Sequence, residues 1–281
     1  MKCAWKELLA ILPPAMRAEV DKHGREGLQE LRLRLDGPPE LVLPRDSYWL
    51  PMNTTAQDIN FVVHTASKYS PWAAATVSQG YITAQGGHRI GMCGESIVKD
   101  DNSLVIRTAT SLCIRIARDF PGIASKASGL KGNILVIGPP GSGKTTLLRD
   151  IIRQISNSGS SVTVVDERGE IFPIGFERGR RTDVMTGCTK PQGLDMALRT
   201  MGPRCIAVDE ITAAGDCQAL LACGWCGVRL LATAHAANLN DLKSRPIYKP
   251  LWDMKKFENI LVLRQDKTWY IERLSGCQSS T

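Results

Sequence analysis

Eight residues with the spacing of a phosphate-binding loop lie near the middle of the chain. Gly138 to Thr145 read Gly-Pro-Pro-Gly-Ser-Gly-Lys-Thr, after an apolar run and before a helix-like segment. In such a loop, successive backbone N–H groups curve around a phosphate and lead into a helix N-terminus. The lysine then reaches the outer phosphates, and the threonine hydroxyl ligates Mg²⁺. We therefore predict that a nucleoside triphosphate binds to Gly138, Pro139, Pro140, Gly141, Ser142, Gly143, Lys144, Thr145 and Thr146.

Two other strand-like runs end in carboxylates. One buried-type run, Cys-Ile-Ala-Val, leads into Asp209 and Glu210, and a similar run leads into Glu167. Asp209 is predicted to bind Mg²⁺ together with Thr145, directly or through water. The attacking water needs a carboxylate to orient or deprotonate it, and both Glu210 and Glu167 are candidates. The sequence leaves this choice open, and Glu167 is equally suited to a structural salt bridge.

A further strand-like run, residues 230–236, ends in polar groups. Thr233 or His235 in this run is placed to sense the γ-phosphate, through a hydrogen bond to it or to the lytic water. Arginines stabilise phosphoryl-transfer transition states and often come from a neighbouring subunit. The candidates in this chain are Arg107, Arg115, Arg118, Arg178, Arg180 and Arg181. Each alone is typical of a solvated surface charge, but together they favour a site shared between subunits.

Hydrophobic periodicity divides the chain into two halves. Downstream of the small-residue run 119–129, short β-branched runs alternate with helical segments, which predicts an α/β domain with a mainly parallel sheet. Upstream, helical and hairpin-like segments predict a smaller α+β domain. We place the two domains at residues 1–122 and 123–281. Sites in a parallel sheet lie at the carboxyl ends of the strands, so the phosphate loop and the acidic strand ends should meet at one edge.

Local patterns add detail to the N-terminal half. They predict a helical region interrupted at Pro13-Pro14, a half-buried strand at 28–35, a capped helix at 55–68 and a hairpin formed by 81–84 and 88–92. Two separate short strands, 104–107 and 112–117, are expected to close this half. No catalytic motif is evident there.

The composition is that of an ordinary globular protein with a moderate positive charge. The 281 residues are 43% hydrophobic and 22% charged, with a net charge of +7, which suits phosphates, nucleic acid or an anionic surface. Nine cysteines without a framework spacing favour a reducing compartment. No run reaches the roughly 18 apolar residues of a membrane span. We expect a cytoplasmic protein, at most peripheral to a membrane, with Cys223 and Cys226 packed in a core rather than binding zinc.

The ordered set of motifs resembles the secretion and type IV pilus ATPase superfamily. The phosphate loop, the acidic run 162–170, Asp209-Glu210 and Thr233-Ala234-His235 look like its Walker A motif, Asp box, Walker B motif and His box. More narrowly, the strings at 88–91, 111–118, 181–184 and 207–211 are similar to the stage III sporulation protein AA family of endospore-forming bacteria. The likeness covers most of the chain.

This resemblance implies a RecA-like P-loop ATPase domain, using ATP and Mg²⁺, behind a smaller N-terminal domain. Such proteins assemble as rings, often hexamers, on the cytosolic face of a membrane apparatus. For the sporulation family that apparatus is the channel between mother cell and forespore, with its membrane proteins as partners. Carried over by position, Glu210 and His235 belong to the Walker B motif and the His box, and Arg115 or Arg118 acts between subunits. The tetracysteine zinc module of type II secretion ATPases has no counterpart, so no zinc is expected.

Three other functions compete with a motor for a membrane channel. A nucleic-acid-dependent RecA-like ATPase agrees with the basic charge, but the chain has no basic, aromatic-rich stretch suited to stacking bases. A transporter-type ATPase is suggested by residues 274–278, Leu-Ser-Gly-Cys-Gln, which imitate that class's signature loop but follow Asp209 instead of preceding it. A nucleotide switch that does not hydrolyse is the third.

Overall fold

The computed structural model describes residues 3–67, 80–98, 104–173 and 175–273. The chain forms two compact units, one spanning Met1–Asp119 and Ile174–Phe176 and the other spanning Phe120–Pro173 and Glu177–Thr281. Each unit has its own sheet. The domain boundary that we place between residues 122 and 123 stays a prediction. Within the described ranges, no helix is both long enough and apolar enough to cross a membrane.

The first unit is built on a six-stranded antiparallel sheet. Its helices are α1 (Trp5–Ile11), α2 (Pro14–Gly24) and α3 (Ala56–Ser67), and its strands are β1 (Glu30–Arg34), β2 (Glu40–Val42), β3 (Ser47–Trp49), β4 (Tyr81–Thr83), β5 (Arg89–Val98) and β6 (Leu104–Arg115). The strand order is β3-β2-β1-β6-β5-β4. Leu31 and Leu33 alternate with more exposed neighbours along β1 and lie in one core with helical residues such as Leu8 and Ile59.

Strands β5 and β6 are both longer than the sequence pattern predicts. The two strands expected at 104–107 and 112–117 are one continuous strand, β6, which pairs with β5 from Arg115 back to Leu104. The polar residues between the two expected strands are solvent-exposed or half-buried, so they give no apolar alternation to reveal a strand. The pairing register shifts between Cys93 and Gly94 and again between Glu95 and Ser96. A Cβ on Gly94 would lie 1.9 Å from the carbonyl oxygen of Thr108.

The second unit contains a seven-stranded, mainly parallel sheet. Its strands are β7 (Ile134–Gly138), β8 (Val162–Asp166), β9 (Thr182–Thr186), β10 (Cys205–Glu210), β11 (Arg229–His235), β12 (Asn259–Leu263) and β13 (Trp269–Arg273). Its helices are α4 (Lys144–Asn157), α5 (Lys190–Thr200), α6 (Ala214–Trp225), α7 (Leu239–Ser244) and α8 (Lys249–Asp253). The order is β13-β12-β7-β11-β10-β8-β9, and every pair is parallel except β12 with β13.

Helices cover both faces of this sheet. Ile134 and Val136 of β7 pack on one face with α4, whereas Leu135 and Ile137 pack on the other face with α5 and α6. Burial on both sides explains why the central strands are continuous apolar runs rather than alternating ones. The α/β fold with a mainly parallel sheet agrees with the prediction. Because β7, β11, β10 and β8 are adjacent and parallel, their carboxyl ends lie along one edge, and the candidate groups follow them.

Candidate nucleotide site

The predicted phosphate loop lies between a buried strand and the N-terminus of a helix. β7 ends at Gly138, and α4 begins at Lys144. Gly141 (φ 73°) and Gly143 (φ 101°) have backbone conformations that other residues rarely adopt. A Cβ on Gly138 would lie 2.9 Å from the carbonyl oxygen of Leu263. The loop therefore requires glycine at all three of these positions.

Lys144 joins the phosphate loop to the end of β11. Its side chain is buried, and Nζ donates to the carbonyl oxygens of Gly138 (3.0 Å) and Pro139 (3.1 Å) and to Nδ1 of His235 (3.0 Å). Burial lowers the pKa of Lys144, and the charge of Glu210 opposes that shift. An ammonium has only donors, so Nδ1 of His235 accepts and the ring hydrogen lies on Nε2.

His235 in turn contacts the predicted base. Its Nε2 lies 2.7 Å from Oε2 of Glu210, which completes a chain of contacts from Lys144 through His235 to Glu210. The backbone of this strand end is also fixed. The amide of His235 donates to the Tyr248 hydroxyl (3.1 Å), which donates to the carbonyl oxygen of Ile211 (3.3 Å). Buried Tyr248 thus joins the ends of β11 and β10, and no sequence motif indicated it.

The other two acidic candidates meet at a lysine that the sequence did not single out. Lys190, the first residue of α5, has a buried side chain whose Nζ lies 2.7 Å from Oε2 of Glu167 and 3.1 Å from Oδ1 of Asp209. It also lies 3.8 Å from Oδ2 of Asp216 in the first turn of α6. The structure therefore brings Glu167 and Asp209 together through one ammonium.

Burial and charge oppose each other in this cluster. Burial disfavours the ammonium of Lys190, but the hydrogen bond to Glu167 and the charge of Asp209 outweigh it and raise the pKa of Lys190. Burial raises the pKa of Asp209 to about 6, and Lys190 limits that rise. Removing the lysine would leave the buried Asp209 and the partly exposed Glu167 without the cation that they share.

The remaining predicted residues of the second unit lie in the phosphate loop, in the first turn of α4 or in β11. Thr145 and Thr146 are half-buried in the first turn of α4, and Ser142 is buried with no hydrogen-bond partner for its hydroxyl in the described part of the chain. Thr233 is buried within β11, opposite Glu210 in the register with β10. His235 is therefore better placed than Thr233 to meet a ligand, because its side chain is 30% exposed.

The predicted arginines lie in both units. Arg115 ends β6 with its side chain 68% exposed, 3.6 Å from Glu30, and Arg118 donates to the carbonyl oxygen of Leu28 (3.1 Å), all within the first unit. Arg107 is also on β6. In the second unit, Arg181 donates to the carbonyl oxygen of Gly159 (2.8 Å), and Arg178 and Arg180 precede β9.

Of the two cysteines expected to be packed in a core, Cys223 is buried and Cys226 is not. Cys223 is buried in the core of the second unit, where burial raises the pKa of its thiol to about 11, whereas Cys226 is exposed just after α6. The signature-like residues 274–278 lie outside the described residues. In the described ranges, no three His, Cys, Asp or Glu side chains converge as a metal cage.

The fold of the second unit and its phosphate loop define the class of protein as one with the P-loop fold of secretion ATPases. The chain is similar in structure to the ATPase DotB of Legionella pneumophila, with a TM-score of 0.59 and 17% identity over 92% of this chain and 80% of that one. It is also similar to the pilus retraction motor PilT with bound ADP, with a TM-score of 0.61 and 17% identity over 87% of this chain and 76% of that one.

Residues 5–273 match the family described as sporulation stage III, protein AA, and the chain belongs to that family. It is 34% identical to stage III sporulation protein AA of Bacillus subtilis (strain 168), over 93% of this chain and 91% of that protein. It is also 29% identical to the protein SEEDLING PLASTID DEVELOPMENT 1 of Arabidopsis thaliana, over 85% of this chain and 34% of that protein. The resemblance inferred from the motifs is thus confirmed.

Proposed function

We propose that this protein binds ATP with Mg²⁺ and hydrolyses it as the motor of a membrane-associated, secretion-type channel. In the sporulation family, that channel is the apparatus between mother cell and forespore. One observation carries the proposal: the chain of contacts from Lys144 through His235 to Glu210 links the phosphate loop to the end of β10. Lys144, which we expect to neutralise phosphate charge, and Glu210, a candidate base, contact opposite nitrogens of the same imidazole.

The residues at this edge fit a nucleoside triphosphate and Mg²⁺. The loop follows a backbone path that requires glycine, and it ends at a helix N-terminus, where phosphates bind. Thr145 and Asp209 are the hard oxygen ligands that Mg²⁺ takes in addition to substrate phosphates. When bound, Mg²⁺ supplies neutralisation of phosphate charge. Residues 138–146 would hold the phosphates, and Lys144 would contribute its charge to them.

The contacts of the two glutamates support different roles. Glu210 is half-exposed and accepts a hydrogen bond from His235, beside the lysine of the phosphate loop. Glu167 is engaged by the buried ammonium of Lys190. We assign the general base to Glu210 and give Glu167 a supporting part, with His235 orienting Glu210 and responding to the γ-phosphate.

Assembly and location belong to the same proposal. A motor of this kind works as a ring, which we take to be a hexamer, in the cytoplasm and peripheral to the membrane, with membrane proteins of the sporulation channel as partners. Arg115 or Arg118 is proposed to complete the site of a neighbouring subunit, since phosphoryl transfer is accelerated by an added arginine. Membership of the sporulation family and the secretion ATPase fold support these proposals.

The proposal is tested by measuring ATP hydrolysis per subunit against protein concentration, with light scattering in parallel. For the wild type, the rate should rise as a ring forms, and Lys144→Ala should remove it because the phosphates lose their cation. A measurable rate that does not depend on concentration, in a protein that stays monomeric, would contradict the shared site.

A nucleic-acid-dependent ATPase is the second candidate, favoured by the net charge of +7. The same assay with single-stranded DNA or RNA added distinguishes the two functions. A motor for a channel should show no stimulation, whereas a nucleic-acid-dependent enzyme should be stimulated and should lose nucleic-acid affinity steeply as salt rises.

A further inference from the structure

Lys190 is a buried cation that none of the predicted motifs accounts for. Its side chain is 4% exposed, and its ammonium contacts carboxylates from three different elements. Glu167 follows β8, Asp209 belongs to β10, and Asp216 lies in the first turn of α6. The distances from Nζ are 2.7, 3.1 and 3.8 Å. This lysine is therefore the cation that these three carboxylates share.

A buried ammonium in the first turn of a helix is energetically unfavourable unless carboxylates compensate its charge. A helix N-terminus carries partial positive charge, which disfavours a lysine in the first turn, and a buried ammonium is costly unless it is paired. The same helix shows the ordinary alternative in its last turn, where Arg199 pairs with Asp195 at 3.0 Å and both side chains are largely exposed. The ion pairs with Glu167 and Asp209 thus explain why the side chain of Lys190 is buried.

Asp216 does not depend on this ammonium. It accepts hydrogen bonds from the backbone amides of Thr212 (2.9 Å) and Ala213 (3.1 Å), which fix it at the start of α6. The main effect of Lys190 falls on Glu167 and Asp209. Glu167 follows β8, and Asp209 belongs to the neighbouring parallel strand β10. The like charges of Asp166 and Glu167 both act on Asp209, so these carboxylates repel it unless a cation lies beside them.

We infer that Lys190 is a positioning residue that holds Asp209 and Glu167 side by side, with Asp209 available to Mg²⁺ and Glu167 retained in an ion pair. This inference rests on the proposed function. If Lys190 is replaced by an uncharged residue, repulsion from Glu167 displaces Asp209. If Glu167 is also replaced by glutamine, the repulsion from Glu167 disappears, and the new amide can donate to Asp209 in place of the lysine.

The test is a double-mutant cycle of Lys190→Met and Glu167→Gln, with kcat and KM measured for ATP hydrolysis. Lys190→Met should lower kcat at least tenfold in the wild-type background, with little change in KM, because the phosphate loop is untouched. In the Glu167→Gln background the same change should cost less than threefold. Arg199→Met, on the same helix, is the control and should leave kcat unchanged.

A second readout does not require turnover. Binding of a fluorescent ATP analogue is titrated in Mg²⁺ and in EDTA for the same variants. Lys190→Met should lose at least fivefold of the affinity gained from Mg²⁺, the double variant should retain that gain, and affinities in EDTA should agree. If the wild type binds nucleotide without hydrolysing it, the proposed function fails, but this cycle still tests Lys190.

Equal losses from Lys190→Met in both backgrounds, in either assay, would overturn the inference, as would complete loss of activity in Glu167→Gln alone. Lys190→Met leaves the buried carboxylate of Asp209 without its cation, so it is also the variant that can fail to fold. In that case the double variant is compared with Glu167→Gln: activity within threefold supports the inference, and a tenfold loss overturns it.

Discussion

Glu210 and Glu167, which the sequence leaves as equal candidates for the general base, have different partners in the structure. Glu210 contacts His235 and, through it, Lys144, whereas Glu167 contacts Lys190. The motif residues were found from their spacing because a phosphate loop fixes which residue types follow one another. Lys190 and Tyr248 had no such signal, since a single lysine or tyrosine beside a helix start is typical of a surface or a core. Only tertiary contacts reveal them.

Tyr248→Phe tests how the end of β11 is held. The tyrosine hydroxyl accepts from the His235 amide and donates to the Ile211 carbonyl, so its removal leaves the partly buried N–H and the buried C=O without that partner. We expect a loss of about 1–3 kcal/mol in the free energy of unfolding, measured by urea titration. Tyr270→Phe, on the more exposed edge strand β13, is the control and should change stability little. Equal, small effects of both variants would contradict the proposed bridge.

At the scale of elements, the central strands were predictable and the peripheral ones were not. β7, β8, β10 and β11 are buried apolar runs that end in chemical motifs, and the structure has them where the pattern indicates. The edge strand β9 is polar and half-exposed, so no apolar run indicated it. The sequence pattern predicts two strands where β6 is one, for the same reason. The residues between them are held in the strand by pairing with β5 and not by burial of apolar side chains.

His88, just before β5, predicts a pH dependence of the first unit. It is fully buried, with Nε2 2.9 Å from the Ala4 carbonyl oxygen and Nδ1 accepting from the Ala117 amide at 3.3 Å. Burial is the main cause that lowers the pKa of His88, and Glu7 and Arg118 act in opposite directions on it. The folded state therefore resists protonation, whereas the unfolded chain protonates near pH 6.5.

Stability from this residue should be fully present above about pH 6.5 and should be lost as the pH falls below it, because protons then bind preferentially to the unfolded chain. Urea unfolding between pH 7.5 and 5.5 should show this slope for the wild type and a flatter one for His88→Gln. His64→Gln, at an exposed position on α3, is the matched control and should keep the wild-type slope. An unchanged slope in His88→Gln would contradict the assignment.

At the scale of the whole molecule, the family match spans both units, from residue 5 to residue 273. The chemical motifs lie in the second unit, whereas the arginines proposed to act between subunits, Arg115 and Arg118, lie in the first. Under the proposed function, the second unit binds nucleotide and the arginines of the first unit act on a neighbouring subunit. That function depends first on whether the protein turns ATP over.

The most direct measurement compares phosphate release and ATP binding for the wild type, Glu210→Gln and Glu167→Gln. We expect Glu210→Gln to bind ATP but to turn it over at least about 100-fold more slowly, since it lacks the general base. Glu167→Gln should retain turnover within about tenfold, because it supports the site without acting on water. Turnover at the wild-type rate in Glu210→Gln would contradict the assignment of the general base. A wild-type rate no higher than that of Lys144→Ala would contradict the proposed ATPase activity.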